Sequence, residues 1–529
     1  MFDYIVIGGG SAGCVLAARL SEDPNVTVCL LEAGPPDKSV LIHCPAGLAL
    51  LAQTGQANWA FKTVPQAGLN GRSGYQPRGK VLGGSSSVNA MVYIRGQRED
   101  YDGWAAEGNS GWSFDELLPY FKKSEHNERG ADAWHGSGGP LNVMDLRSPN
   151  RHGPAFVQAG QQAGFVLNND FNGATQEGIG PYQVTHRNGE RCSAAKAYLT
   201  PNVQRPNLQV ITEARTTRIL FEGTRAVGVE YSQGGALREV RAQREVLLCA
   251  GALQSPQVLM LSGIGPGAHL QQHGVPLLHD LPGVGLHLHD HVDVVSVFDA
   301  PQLKDLFGLS FVGAWRSLQA ILEWRRQRSG PLTTNFAECG GFIKSRSALK
   351  QPDLQLHFVV GKLFDHGRKT VFGHGYSCHV CLLHPVSRGS VQLISKDPQA
   401  APRIDPNFLA APEDIERMVS GFKLMRQVLA QPALASLGAR EFASSANARS
   451  DAQITQFIRQ YADTIYHPVG SCRMGSGALD VVDPQLRVRG LQGLRVVDAS
   501  IMPRIVSGNT NAPVIAIAEK AADLIKAAA

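Results

Sequence analysis

Within the first thirty-five residues a short apolar run, Tyr4-Ile5-Val6-Ile7, leads straight into Gly8-Gly9-Gly10-Ser11-Ala12-Gly13. Val15, Leu16, Ala17 and Leu20 then recur at helical spacing, and a second apolar run, Val26 to Leu31, ends on Glu32. Strand, glycine turn, helix, strand, acid is the order of a dinucleotide-binding unit, and it commits the chain to an α/β fold with a Rossmann-like domain. Gly8 permits the tight turn, Gly10 lets backbone approach a pyrophosphate, and Gly13 lets helix and strand pack closely. The helix start, with Ser11 and Ala12, turns free N–H groups and a positive dipole end toward the phosphates. Glu32, followed by Ala33, is placed to accept hydrogen bonds from an adenosine ribose. The fingerprint does not separate FAD from NAD, but a carboxylate at Glu32 argues against NADP, whose 2′-phosphate it would repel.

The rest of the chain has room for more than this unit. Its 529 residues allow two or three domains at roughly 100–200 residues each. An excess of +5 charges with no polybasic run gives no footprint for nucleic acid. Nine cysteines, an odd number spread along the chain, read as reduced thiols rather than a disulfide framework. No basic stretch precedes the first apolar run, and no run reaches the ~18 apolar residues of a spanning helix. A cytoplasmic protein is expected, free in solution or resting peripherally on the cytoplasmic membrane. The 57 glycines exceed the usual share of about 7%, and they cluster in blocks.

One block is Arg78-Gly79-Lys80-Val81-Leu82-Gly83-Gly84-Ser85-Ser86-Ser87-Val88-Asn89, followed by Ala90, Met91, Val92 and Tyr93. A double glycine and three serines cannot fill a core; they are backbone with hydroxyls, suited to close approach by a flat polar ligand. Arg78 and Lys80 are available to phosphate oxygens. A second block, Val246-Leu247-Leu248-Cys249-Ala250-Gly251, reads as a buried strand running into a glycine turn. A helix follows from about Ser255 to Leu261, with Ser255 and Pro256 as cap and first-turn proline. Ile211 to Ile219 reads as one strand, with Thr216 beside the adenine. Near the C-terminus stand Tyr466-His467-Pro468-Val469-Gly470-Ser471 and Val497-Asp498-Ala499-Ser500.

These blocks resemble those of the glucose–methanol–choline (GMC) oxidoreductases, FAD enzymes acting on alcohols, over nearly the whole length. The resemblance implies an FAD domain assembled from residues 1–155, 205–297 and 464–529, and an α+β substrate domain from 156–204 and 298–463. It implies FAD contacts from Gly79, Val81, Gly84, Ser85 and Asn89 to Val92, from Ala250 and Gly251, and from Asp498 and Ala499. Asp498 is read as a ribityl or diphosphate contact, with a helix N-cap as the alternative. Some members attach flavin through a histidine at the position of Val88, so FAD is expected to be noncovalent here.

By the same resemblance His467 is the catalytic base, facing the flavin N5 edge with the substrate oxygen between them. A neutral imidazole suits that role. Its partner in the family is a His or Asn some forty residues on. In Ser507-Gly508-Asn509-Thr510-Asn511-Ala512-Pro513 that is Asn509, with Asn511 as rival; Asn509, Thr510 and Asn511 also count as cofactor contacts. A helix from Pro513 to about Ala527 would point its N-terminus at the flavin pyrimidine edge. Gly71-Arg72-Ser73, Asp365 to Lys369 and Ser507 to Pro513 most resemble medium-chain aliphatic alcohol dehydrogenases of alkane degradation. The reaction expected is oxidation of a primary alcohol, aliphatic or aryl, to an aldehyde, with electrons passed to a quinone-type acceptor. Choline dehydrogenase or an oxygen-using alcohol oxidase is the near alternative, with Glu338 and His384 as its polar pocket residues. A lyase with structural FAD is an alternative of another class.

Three signals are set aside. His287, His289 and His291 alternate, which on a strand would put all three on one face and Asp290 on the other, but the segment resembles family members without metal. No metal is expected. Cys378-His379-Val380-Cys381 lies in a strand-like stretch that would send the two sulfurs to opposite sides. Ser310 to Arg328 is read as an amphipathic helix covering the substrate pocket, with an anionic lipid surface as the alternative.

Overall fold

The computed structural model describes residues 1–369 and 371–528. Its first sheet grows from the N-terminal unit. The strand Phe2–Ile7 lies between Val28–Leu31 and the end of Ala236–Leu248, all parallel; Leu208–Ile211 and Leu494–Val496 add the outer parallel strands. Tyr4–Ile7, Val28–Leu31 and Val246–Leu248 are buried along their whole length, as continuous apolar runs must be in a parallel sheet covered on both faces. Ala236–Leu248 serves twice. Its charged first half pairs antiparallel with Arg225–Gln233, and its apolar last residues join the parallel strands.

The single strand expected from Ile211 to Ile219 is two. Leu208–Ile211 is the edge of the parallel part, whereas Arg215–Glu222 belongs to the antiparallel meander. The helix Ser11–Leu20 follows the glycine turn, and the final helix runs Asn511–Ala528. They are joined by Arg19, whose guanidinium meets the fully buried Glu519 at 2.8 Å, with the Tyr198 hydroxyl donating to the same carboxylate.

The second sheet is antiparallel throughout its main path: Arg440–Glu441, Val292–Asp299, Gly373–Leu382, Leu354–Val359, Ala337–Ile343 and Gly178–Pro181. Alternation along its strands decides what each face does. Leu354, Leu356, Phe358, Tyr376, Cys378 and Val380 enter a core shared with the helices His152–Gln162, Pro412–Leu429 and Asp451–Tyr461. Gln355, His357, His379 and Cys381 take the other face, with Gln355 opposite Cys381 and His357 opposite His379. The two sulfurs of the C-x-x-C stretch accordingly point to opposite sides.

Candidate active site

A cavity of about 1100 Å³ opens where the carboxyl ends of the parallel strands meet the polar face of the antiparallel sheet. That is above the roughly 300–1,000 Å³ of a drug-sized ligand site. Of the cofactor and catalytic residues singled out from the sequence, all but Gly13, Lys80 and Val81 line it. Gly13 lies beneath the turn, where a Cβ would stand 1.9 Å from the Gly8 carbonyl oxygen. Val81 instead packs on Ile42 and Leu51.

The nucleotide side fits FAD. Gly8 has φ +99°, and a Cβ on Gly10 would meet open space, leaving room for phosphate against backbone. The Glu32 carboxylate accepts from the amides of Gly9 (2.8 Å) and Gly34 (2.7 Å), and burial pushes its pKa up to about 7. Its remaining lone pairs suit the ribose hydroxyls. The double glycine packs backbone on backbone: Gly83 N donates to Gly9 O, and a Cβ on Gly84 would be 2.7 Å from the Gly10 Cα.

Several polar groups assigned to the ligand are used by the protein itself. Ser86 and Ser87 donate to the Gly83 and Leu82 carbonyls, so the three serines brace the loop and only Ser85 reaches the cavity. Lys80 lies over the Trp59 ring, 4.6 Å from its centroid. Arg78 lines the cavity but donates to the Tyr466 carbonyl at 2.7 Å. Asp498 caps the turn Ala499–Ile501 through Ser500 N and also accepts from Gly251 N and Ser255 Oγ. Asp498 is thus the N-cap of that turn while it also lines the cavity, and Ser255 is a partner of Asp498 rather than the cap of its own helix.

His467 is 8% exposed and clamped on both sides of its backbone. Its amide donates to Asp290 Oδ1 at 2.8 Å, while Tyr466 before it is held at φ +76°. Its Nδ1 lies 3.0 Å from Nδ1 of His291, and its Nε2 lies 3.3 Å from the Asn509 amide nitrogen. Asn511 is engaged elsewhere, accepting from Ser11 Oγ at 2.7 Å. Burial, then the nearby His291, His357 and Arg78, hold the His467 pKa well below the usual imidazole range, so the ring is neutral and able to accept a proton.

Sequence reasoning missed the groups that hold this ring. His287 does not share a strand face with His289 and His291, because it sits at φ +62° and turns the chain. His289 accepts from Ile505 N, Asp290 takes the His467 amide, and His291 takes its ring. Among the described residues no group of three or more His, Cys, Asp or Glu is placed to hold a metal ion. Arg191 was also missed. It is buried with no carboxylate partner among the described residues and donates to the carbonyls of Ile42, Ser86 and Asn89, bracing the Ser85–Asn89 turn. The signal for the first set was the clustering of His with Asp; nothing local marks Arg191.

The GMC oxidoreductase family's N-terminal model matches residues 2–293, and its C-terminal model matches residues 385–518. The chain belongs to the GMC oxidoreductase family. It is 50% identical over 528 residues to an alcohol dehydrogenase (acceptor) of Pseudomonas putida, covering 99% of this chain and 96% of that one. It is 45% identical over 537 residues to the mitochondrial choline dehydrogenase of Homo sapiens, covering 99% and 90%. Among solved structures, pyridoxine 4-oxidase from Mesorbium loti superposes with a TM-score of 0.88 at 34% identity, covering 99% of each chain. This GMC oxidoreductase is an enzyme, and FAD is its cofactor. Val88, in the cavity wall, offers only an alkyl side chain and cannot itself form a covalent link to the flavin.

Proposed function

We propose that this GMC oxidoreductase oxidises neutral primary alcohols, aliphatic or aryl, to aldehydes. The observation that carries this reading is the neutral His467, buried at the cavity wall with Asn509 beside its Nε2. The substrate hydroxyl gives its proton to Nε2, and Asn509 donates a hydrogen bond to the substrate oxygen. Bound FAD supplies the hydride acceptor, its electrons leaving for an external acceptor of quinone type.

The lining speaks against choline as the preferred substrate. Among the described residues the only carboxylates in the wall are Glu32 and Asp498, both on the nucleotide side, whereas Lys362 and Lys369 stand on the substrate side. Glu338 accepts from Thr334 Oγ1 and does not line the cavity; His384 bonds to Ser507 Oγ. A quaternary ammonium would find no anion here. Anaerobic mixing with alcohols of graded length and with choline tests this: bleaching of the flavin by the neutral alcohols and not by choline is expected. Bleaching by choline alone would overturn it.

The helix Phe311–Gln327 supports a place at an anionic bilayer surface. It lines the cavity with Ser317, Ile321, Trp324 and Arg325, whereas Phe311 (98% exposed), Trp315 (62%), Leu318 and Leu322 are exposed, beside Arg316 and Arg326. Apolar side chains flanked by arginines match headgroup and charge together. Among the described residues no helix is long and apolar enough to cross a membrane. Cosedimentation with anionic but not neutral vesicles, lost in Trp315→Glu, is expected; no sedimentation with either would remove the proposal.

A further inference from the structure

The hydrogen bonds around His467 run outward in two chains, and each ends on a main-chain carbonyl. In the first, His291 Nε2 lies 3.0 Å from the Leu383 carbonyl oxygen and His291 Nδ1 lies 3.0 Å from His467 Nδ1. A carbonyl only accepts, and of the two backbone carbonyls facing this ring Leu383 is the stronger contact and Val506 the weaker, which assigns the His291 proton to Nε2. Burial pushes the His291 pKa down to about 3, so this ring is neutral and has one N–H only. Its Nδ1 is therefore a lone pair, and the facing Nδ1 of His467 must be the donor.

The second chain starts at the Leu356 carbonyl, which accepts from the Tyr182 hydroxyl at 2.6 Å. With its proton committed, the Tyr182 oxygen accepts from Gln355 Nε2 at 3.3 Å. The other hydrogen of that amide goes to Asn509 Oδ1, also at 3.3 Å, while Gln355 Oε1 faces the Cys381 thiol. Asn509 is thereby turned so that its N–H, not its oxygen, faces His467 Nε2. Both chains demand the same state of one ring: hydrogen on Nδ1, lone pair on Nε2.

We propose that these two chains lock His467 in the Nδ1–H tautomer, with His291 and Gln355 as positioning residues that keep Nε2 free to take a proton. The proposal rests on the reading of His467 as the base, and it deepens it. His291, Gln355 and Tyr182 are each at most 1% exposed, so water does not compete for these bonds. A neutral imidazole in solution samples both tautomers, and the wrong one would present an N–H to a hydroxyl that must be deprotonated.

The test is nitrogen NMR on ¹⁵N-histidine-labelled holoenzyme, with His467 assigned by the resonances missing from His467→Ala. A proton-bearing Nδ1 and a bare Nε2 are expected. In His291→Phe, which keeps a ring of similar size but offers no acceptor, the tautomer should become mixed. Flavin reduction by alcohol should then slow by at least about tenfold, up to the roughly 10⁴-fold cost of a wrong tautomer at a catalytic imidazole. His291→Gln can accept from Nδ1 and donate to the Leu383 carbonyl, so it should restore both the tautomer and most of the rate. Gln355→Met, which frees the Asn509 amide to turn, should shift the His467 resonances without loss of bound flavin. A proton on Nε2 in the native enzyme, or native resonances in both His291→Phe and Gln355→Met, would overturn the proposal. The assigned tautomer together with an unslowed His467→Ala would remove the base and leave the tautomer lock standing.

Discussion

Glu32 makes FAD binding a proton-coupled event whose size follows from the structure. Its pKa of about 7 in the flavin-free protein is far above the ordinary 4.5, because burial outweighs the two amide bonds it accepts. Ribose hydroxyls donate to the ionised carboxylate, so below pH 7 the protein must release a proton to bind. Each pH unit then costs about 1.36 kcal/mol, a factor of ten in affinity. With a midpoint near 7, the FAD dissociation constant should rise roughly tenfold from pH 8 to pH 6 and approach a plateau above pH 8. The diphosphate of FAD does not titrate in that range. Titrating deflavinated protein and following flavin fluorescence at half-unit steps reads this directly, with Glu32→Gln as the variant that should bind weakly and without the slope. The same raised value means the flavin-free protein loses stability as pH climbs from 4.5 through 7, on the order of 3 kcal/mol in all, and FAD should restore it. An affinity constant within twofold between pH 6 and 8 would refute the reasoning.

His467→Ala should remain yellow yet reduce its flavin about 10²–10⁴-fold more slowly in anaerobic stopped flow. Because burial holds the His467 pKa well below the usual range, the base is already deprotonated at neutral pH. The native reduction rate should therefore stay flat from about pH 6.5 upward and fall only on further acidification; a tenfold drop between pH 8 and 7 would contradict this. Asn509→Ala should slow reduction with little effect on FAD affinity, whereas Asn511→Ala, which loses the tie to Ser11, should weaken FAD binding more than it slows the chemistry. Acid precipitation should release free flavin into the supernatant, with none left on the pellet.

What was legible in the sequence was what local pattern determines. The apolar runs Tyr4–Ile7 and Val246–Leu248 became fully buried parallel strands, and Ser255–Leu261 and the final helix appeared within two residues of where spacing put them. Pairing was not legible, because it is made across tens to hundreds of residues. Arg78 and Lys80 looked free for phosphate since their partners, the Tyr466 carbonyl and the Trp59 ring, are not marked by any local spacing. One backbone angle misled the reading of His287 to His291: a strand would align all three rings, but the left-handed turn at His287 sets that residue apart from His289 and His291, which meet Ile505 N and the His467 ring. The helix Phe311–Gln327 shows the same limit in reverse. Its amphipathic face was evident, yet only the fold shows which side looks out.

The imidazole at the centre of the site is gripped from stretches of chain that lie far apart, around residues 290, 355, 383 and 509. The flavin cradle leans chiefly on the glycine turns of the other sheet. Colour and competence can therefore part company: a copy that has assembled its nucleotide half but not closed the second sheet onto it would be as yellow as the finished enzyme and turn over nothing. Counting active sites by flavin absorbance would then overstate them, and a reaction-based titration is the sounder measure.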